Sequence, residues 1–165
     1  MILFHYTTGQ SLQKILAAGK LEPRNSILIP SGRPIVWFTS RNEWEQTANA
    51  IVTEPGTLQP LPLGRTETAK NFGGLARIAV KSDHRDLMQF NKVCKRAQVD
   101  HAHRKAIVRL GERLGSRPVD QWWGTLQPVP FKEFAFVELF WLGHWKNIND
   151  IDPNDTQERV PEALV

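Results

Sequence analysis

The segment Phe134-Ala135-Phe136-Val137-Glu138-Leu139-Phe140-Trp141 constrains the fold of this chain more than any other. Strand alternation sets Phe134, Phe136, Glu138 and Phe140 on one face and Ala135, Val137, Leu139 and Trp141 on the other. A strand apolar on both faces belongs inside a sheet covered from both sides. One carboxylate interrupts the pattern. Burying it unpaired costs several kcal/mol, so Glu138 requires a partner or a task. The plain partner is Arg77, in the strand-like run Leu75-Ala76-Arg77-Ile78-Ala79-Val80; the other reading is chemistry.

The rest of the chain supplies the covering elements. Ile2-Leu3-Phe4-His5-Tyr6 reads as a buried strand leaving through a Thr7-Thr8-Gly9 turn, and Thr8 or Ser11 is placed to cap the next helix. Leu12, Ile15 and Leu16 form its apolar stripe, and Gly19 stands where a helix-ending glycine belongs. Residues 35–40 read as a second strand, and Asn42 is placed to cap a helix over about residues 43–51. Residues 53–74, rich in proline and glycine, read as an irregular excursion. Residues 86–115 read as mainly helical, with Leu87, Phe90, Val93 and Ala97 on one apolar side, then Ala106, Ile107, Leu110 and Leu114. After Glu138 a hairpin is expected through Gly143 into Trp145. The order of elements favours α+β: one domain over residues 1–150 and a polar tail over 151–165.

Bulk properties narrow the class. At 165 residues the chain is long enough to bury a core without disulfide or metal staples. No apolar run approaches the roughly 20 residues of a membrane span. Met1 to His5 lacks the pattern of a signal peptide, and the lone Cys94 has no internal disulfide partner, so a cytoplasmic protein is expected. The net charge of +4 favours approach of a phosphate-bearing ligand without choosing one. From Arg85 to Arg113 eight basic residues face three acidic ones. With little aromatic interleaving, that stretch reads as a solvated face before a nucleic-acid patch. His84, Cys94, His101 and His103 fit no closed zinc pattern, and no metal is expected.

Three strand ends carry groups suited to chemistry. His5 ends an apolar strand, where polar side chains reach the rim of a sheet, and Tyr6 points to the opposite face. Trp37-Phe38-Thr39-Ser40 offers stacking area and directed hydroxyls, as a planar ring and a ribose require. Glu138 offers a fixed negative charge. Each has a bland reading as core or ion pair.

In this order and spacing, Leu3-Phe4-His5-Tyr6-Thr7-Thr8, the helix to Gly19-Lys20-Leu21, Val36-Trp37-Phe38-Thr39-Ser40 with the following Glu43, Trp44 and Ala48, and Pro128-Val129-Pro130 leading to Glu138 resemble the ADP-ribosyltransferase fold. The resemblance is to its small bacterial and phage members with a first-strand histidine. It implies split mixed or antiparallel sheets around an NAD-binding cleft, with flanking helices. It implies that His5 holds a ribose of NAD, that Tyr6 and Thr7 line the pocket, and that Trp37 lies against the nicotinamide side supported by Thr39. Glu138 becomes the catalytic glutamate, stabilising the oxocarbenium character that develops as the glycosidic bond breaks. Glu133 is its runner-up if the strand register differs. The chain departs from the pattern where Trp37-Phe38 replaces a tyrosine and where Phe136, two before Glu138, replaces a second glutamate.

The resemblance therefore implies an NAD-dependent transferase acting on a macromolecular acceptor, protein or nucleic acid, in a toxin, effector or phage modifier. Two other readings stand beside it: a non-enzymatic nucleotide or nucleic-acid binding module, and a nuclease-like toxin with His5 and a carboxylate as acid and base.

Overall fold

A computed structural model describes residues 1–25, 32–53 and 60–151. The fold is mixed α+β, built on an antiparallel sheet. Its first strand, β1 (Ile2–Thr8), runs two residues past the expected strand end at Tyr6 and takes in Thr7 and Thr8 of the expected turn, because its ladder with β6 (Leu75–Lys81) continues from Ile2↔Lys81 to Thr8↔Leu75. Thr8 then caps α1 (Gly9–Ala18) by accepting from the Ser11 amide, and Gly19 closes the helix at φ 68°, a left-handed turn that glycine adopts at little cost. β2 (Lys20–Leu21) pairs with β9 (Val129–Pro130) in a small ribbon.

Seven strands form the main sheet in the order β11-β10-β6-β1-β3-β8-β7, every pairing antiparallel. Here β3 is Val36–Thr39, β7 is Met88–Gln89, β8 is Trp122–Thr125, β10 is Phe136–Trp141 and β11 is His144–Asn147. The expected hairpin at Gly143 joins β10 to β11. Six consecutive residues of β6, Leu75 to Val80, are buried, as an interior strand covered on both faces requires. Glu138's own strand is less enclosed: only Val137 is fully buried, because β10 has just the edge strand β11 outside it.

The pairing is uneven. β1 meets β6 over seven residue pairs, but it meets β3 at one, Phe4↔Thr39. The sheet thus consists of β11-β10-β6-β1 and β3-β8-β7, joined by a single bridge.

One face of the sheet is covered by α1, whose Leu12 and Ile15 pack with Leu3, Val36, Phe38, Ile78 and Val137. Against the other face Phe90, Val93 and Cys94 of α3 (Phe90–Arg96) and Ile107 of α4 (His101–Arg113) cluster with Ile35 and Trp122. Beside them Phe4, Tyr6, Trp44, Leu75 and Ala79 form a third cluster.

Four local expectations are corrected. The helix over 43–51 is instead a short 3-10 turn, Gln46–Ala48, followed by β4 (Ile51–Thr53). Trp44 and Glu45, adjacent in sequence, are both buried, each with its own polar partner, which the single apolar side of a surface helix does not accommodate. The excursion over 53–74 contains β5 (Pro60–Pro62), paired with β4, and α2 (Arg65–Asn71). Apolar periodicity misses α2 because the residue it buries is Thr68, whose hydroxyl accepts from the Ala50 amide. On α4 the buried positions are Ile107 and Gly111, not Ala106, Leu110 and Leu114; Gly111 lets Pro118 of α5 (Pro118–Gln121) sit against the helix. Phe134 precedes β10 and closes a 3-10 turn over Phe131–Glu133. The tail over 152–165 and residues 54–59 of the excursion lie outside the described residues.

Gly9 fixes the joint between β1 and α1. A Cβ there would stand 1.9 Å from the Gly73 carbonyl oxygen, while the Gly9 amide donates to the Gly74 carbonyl at 3.0 Å. Gly9→Ala is therefore expected to destabilise the fold by about 1–3 kcal/mol, read as a lower urea midpoint with an unchanged slope.

Candidate functional site at the seam of the sheet

Past the Phe4↔Thr39 bridge the backbones of β1 and β3 part, and side chains take over the joining. His5 donates from Nδ1 to the Trp37 carbonyl at 2.9 Å. The Tyr6 hydroxyl donates to the Arg41 carbonyl at 3.0 Å. The carbonyl partner fixes the His5 tautomer: Nδ1 carries the proton and Nε2 the lone pair. Burial lowers the His5 pKa, outweighing the opposing pull of the Trp37 bond, and nearby Arg24 adds to the fall. The ring is neutral at pH 7. Burial also pushes the Tyr6 hydroxyl up to about 12, against the lowering influence of Arg77, so it remains a donor.

A cavity of about 190 Å³ opens at this seam. Phe4, Tyr6, Trp37 and Trp122 give it an aromatic wall, Thr39, Glu45 and Thr47 its polar groups, and His5 borders it. The Trp37 ring lies 5.9 Å from Phe90 and 5.9 Å from Trp122, so packing holds its plane. The Thr39 hydroxyl accepts from the Arg41 amide at 3.2 Å. Cavities for whole drug-sized ligands run to roughly 300–1,000 Å³; this one is sized for a single planar ring.

Glu45 is the residue that sequence reasoning passed over. It is 5% exposed and its carboxylate is saturated. Oε1 accepts from the Thr47 amide at 3.3 Å, the Thr47 hydroxyl at 3.0 Å and the Ser116 hydroxyl at 2.5 Å, and Oε2 accepts from Trp122 Nε1 at 3.3 Å. Arg41 Nη1 donates to Ser116 Oγ at 3.2 Å and to the Gly115 carbonyl at 2.7 Å. This network ties the 45–47 turn to the end of α4. Reading residues 43–51 as a helix hid it.

Glu138 does not line the cavity. It stands opposite Arg77, which stands opposite Tyr6, so the three occupy one row across β10, β6 and β1 on one face. His5 and Thr7 alternate to the other face, and Thr7, paired with Ala76, is absent from the cavity wall. Arg77 Nε donates to Glu138 Oε2 at 2.5 Å, with the two side chains 10% and 16% exposed. Arg77 Nη1 donates to the Asn42 carbonyl. The guanidinium also lies 4.4 Å from the Phe4 ring centre and 4.5 Å from that of Trp145, a desolvated cation–π arrangement that holds it in place. Glu133 is bonded to His84 Nε2, away from this row. Four of the five candidate cofactor residues thus meet at one cavity, and the candidate glutamate lies further along the face that carries Tyr6.

Cys94 is buried and free, its thiol pushed up to about 11 by burial. Among the described residues no three His, Cys, Asp or Glu side chains group as metal ligands, and no helix is long and apolar enough to cross a membrane. No family model, curated protein or solved structure matches the chain.

The depressed His5 pKa fixes the sign of a pH effect. Below the ordinary value of 6.5 the unfolded chain binds a proton that the native state refuses, so stability falls with pH until the native pKa is passed. The slope from one such group is at most about 1.4 kcal/mol per pH unit. Thermal unfolding followed downward from pH 7 is expected to show this loss in the wild-type protein and a flatter profile in His5→Gln.

Proposed function

We propose that the protein cleaves the nicotinamide–ribose bond of NAD and transfers ADP-ribose to a macromolecular acceptor, on an ADP-ribosyltransferase-like fold. The observation that carries this reading is the single-ring aromatic cavity at a split in the sheet, bordered by His5, Tyr6, Trp37 and Thr39. In it nicotinamide stacks against Trp37 and Trp122, with a hydroxyl such as Thr39 near its carboxamide. The cavity does not hold a whole dinucleotide, so the riboses and phosphates lie outside the seam.

Two carboxylates are near enough to matter, and their hydrogen bonding separates them. Glu45 has both oxygens occupied and shapes the cavity. Glu138 gives Oε2 to Arg77, and among the described residues Oε1 accepts no hydrogen bond and can take one from a ribose hydroxyl. Adjacent strands lie about 4.8 Å apart, and Glu138 on β10 is three strands from Trp37 on β3, so this reading requires the ribose to run from the seam along the row of Tyr6 and Arg77 toward Glu138. As the C1′–N bond breaks, nicotinamide leaves with the bonding pair, and a fixed carboxylate stabilises the positive charge growing on the sugar. The acceptor nucleophile then bonds to C1′ and loses its proton. The ion pair itself favours a second reading: Glu138 neutralises Arg77, and the domain binds a nucleotide without turnover.

The test is nicotinamide release from NAD with cell extract as acceptor source, together with mass spectrometry for added ADP-ribose. Glu138→Gln is the informative variant. Glu138→Ala leaves the Arg77 cation unpaired in a buried site, at a cost of about 3–5 kcal/mol, and confuses chemistry with folding. Glu138→Gln keeps an acceptor for Arg77 and is expected to lower nicotinamide release on the order of 10²-fold while NAD still protects the protein in thermal unfolding. Wild-type turnover in that variant removes Glu138 from the chemistry, and NAD protection without any turnover in the wild-type protein leaves the binding module.

A further inference from the structure

A second concavity, about 290 Å³ in volume, lies at the β7 end of the sheet. Separate segments bring cations to it: Arg33 before β3, Arg85 in the turn after β6, and Lys92 and Arg96 on α3. All four are exposed. One acid lines the cavity, Asp86, and Arg85 engages it at 3.4 Å. Among the described residues Arg33, Lys92 and Arg96 make no ion pair. Like charges gathered around a hollow repel one another and raise the local concentration of anions.

This hollow is separate from the seam. Phe90, Val93 and Ala97 turn the buried side of α3 toward Ile35, Trp37 and Trp122. Lys92 and Arg96, one turn apart, stand on the helix's solvent side. The two cavities share no lining residue.

We propose that this concavity binds the phosphate backbone of a nucleic-acid strand. Among the described residues no aromatic side chain lines it, so none of them stacks a base there, and contacts to phosphate carry little sequence information. Among the described residues none of the exposed large hydrophobic side chains lines it either, which favours a phosphate polymer over a lipid surface. The four cations at the hollow are more than one phosphate group needs and suit a polymer of them; further exposed cations stand on α3 at Lys95 and on α4 at Lys105, Arg109 and Arg113. The proposal stands apart from the chemistry at the seam.

The test is fluorescence anisotropy with labelled oligonucleotides of about 16 nucleotides and differing base composition, titrated at about 50 and 200 mM salt. The wild-type chain is expected to bind all of them alike, and more weakly at the higher salt. Lys92→Glu with Arg96→Glu is expected to weaken binding at least about tenfold and to flatten the salt slope by roughly 0.7 for each phosphate no longer neutralised. Lys14→Glu with Lys132→Glu makes the same change of net charge at exposed positions on α1 and before β10, and is expected to change affinity far less. No binding by the wild-type chain at about 50 mM salt, or equal weakening by the two double variants, overturns the proposal.

Discussion

The architecture depends on the incomplete pairing of β1 with β3. Buried backbone groups must find partners, and here one bridge, Phe4↔Thr39, joins the two parts of the sheet. Beyond it the joining passes to the His5 imidazole and the Tyr6 hydroxyl, both bonded to backbone carbonyls of the other half. Each such bond contributes about 1 kcal/mol net. The cavity exists because the ladder does not continue, and it keeps its shape because side chains hold the edges at fixed separations.

That arrangement gives His5 a different character from a proton shuttle. A ring whose Nδ1 proton belongs to the Trp37 carbonyl, and whose charged form burial disfavours, is poorly suited to cycling protons near neutrality. It suits a fixed strut with one acceptor nitrogen. Glu138 is likewise shaped by its neighbour. Arg77 meets a carboxylate, a carbonyl and two aromatic faces at once, so Glu138 is held in one orientation. Removing either partner exposes the other to an uncompensated burial cost, and the same pair that makes a useful electrostatic fixture also maintains β6 and β10 in register.

What could be read from the residues follows burial. Strands β1, β3, β6 and β10 announce themselves through apolar runs, and Arg77 was identifiable as the partner of Glu138 from a lone charge in each of two such runs. β8 did not announce itself. Trp122-Trp123-Gly124-Thr125 is short, and Gly124 is there because a Cβ would stand 2.7 Å from Ile35 Cγ2, a tertiary fact with no local signature. Glu45 was hidden for a related reason: its partners Ser116 and Trp122 are distant in sequence, and only the folded chain brings four donors to one carboxylate. The split of the sheet, too, is a matter of which ladder stops, and strand propensity says nothing about where ladders stop.

The strand order carries a consequence for how the chain assembles. β1 is the first element in the sequence and central in the sheet, yet its long partner β6 begins only at Leu75 and the other half is completed by β8 at Trp122. During synthesis the apolar segment Ile2-Leu3-Phe4 therefore emerges well before anything that can pair with it. Pairings so distant in sequence form slowly, and unpaired apolar strands associate with one another in the interval. The early arrival of α1, whose cap is the last residue of β1 and whose Leu12 and Ile15 lie against Leu3, gives that strand one covered face while it waits.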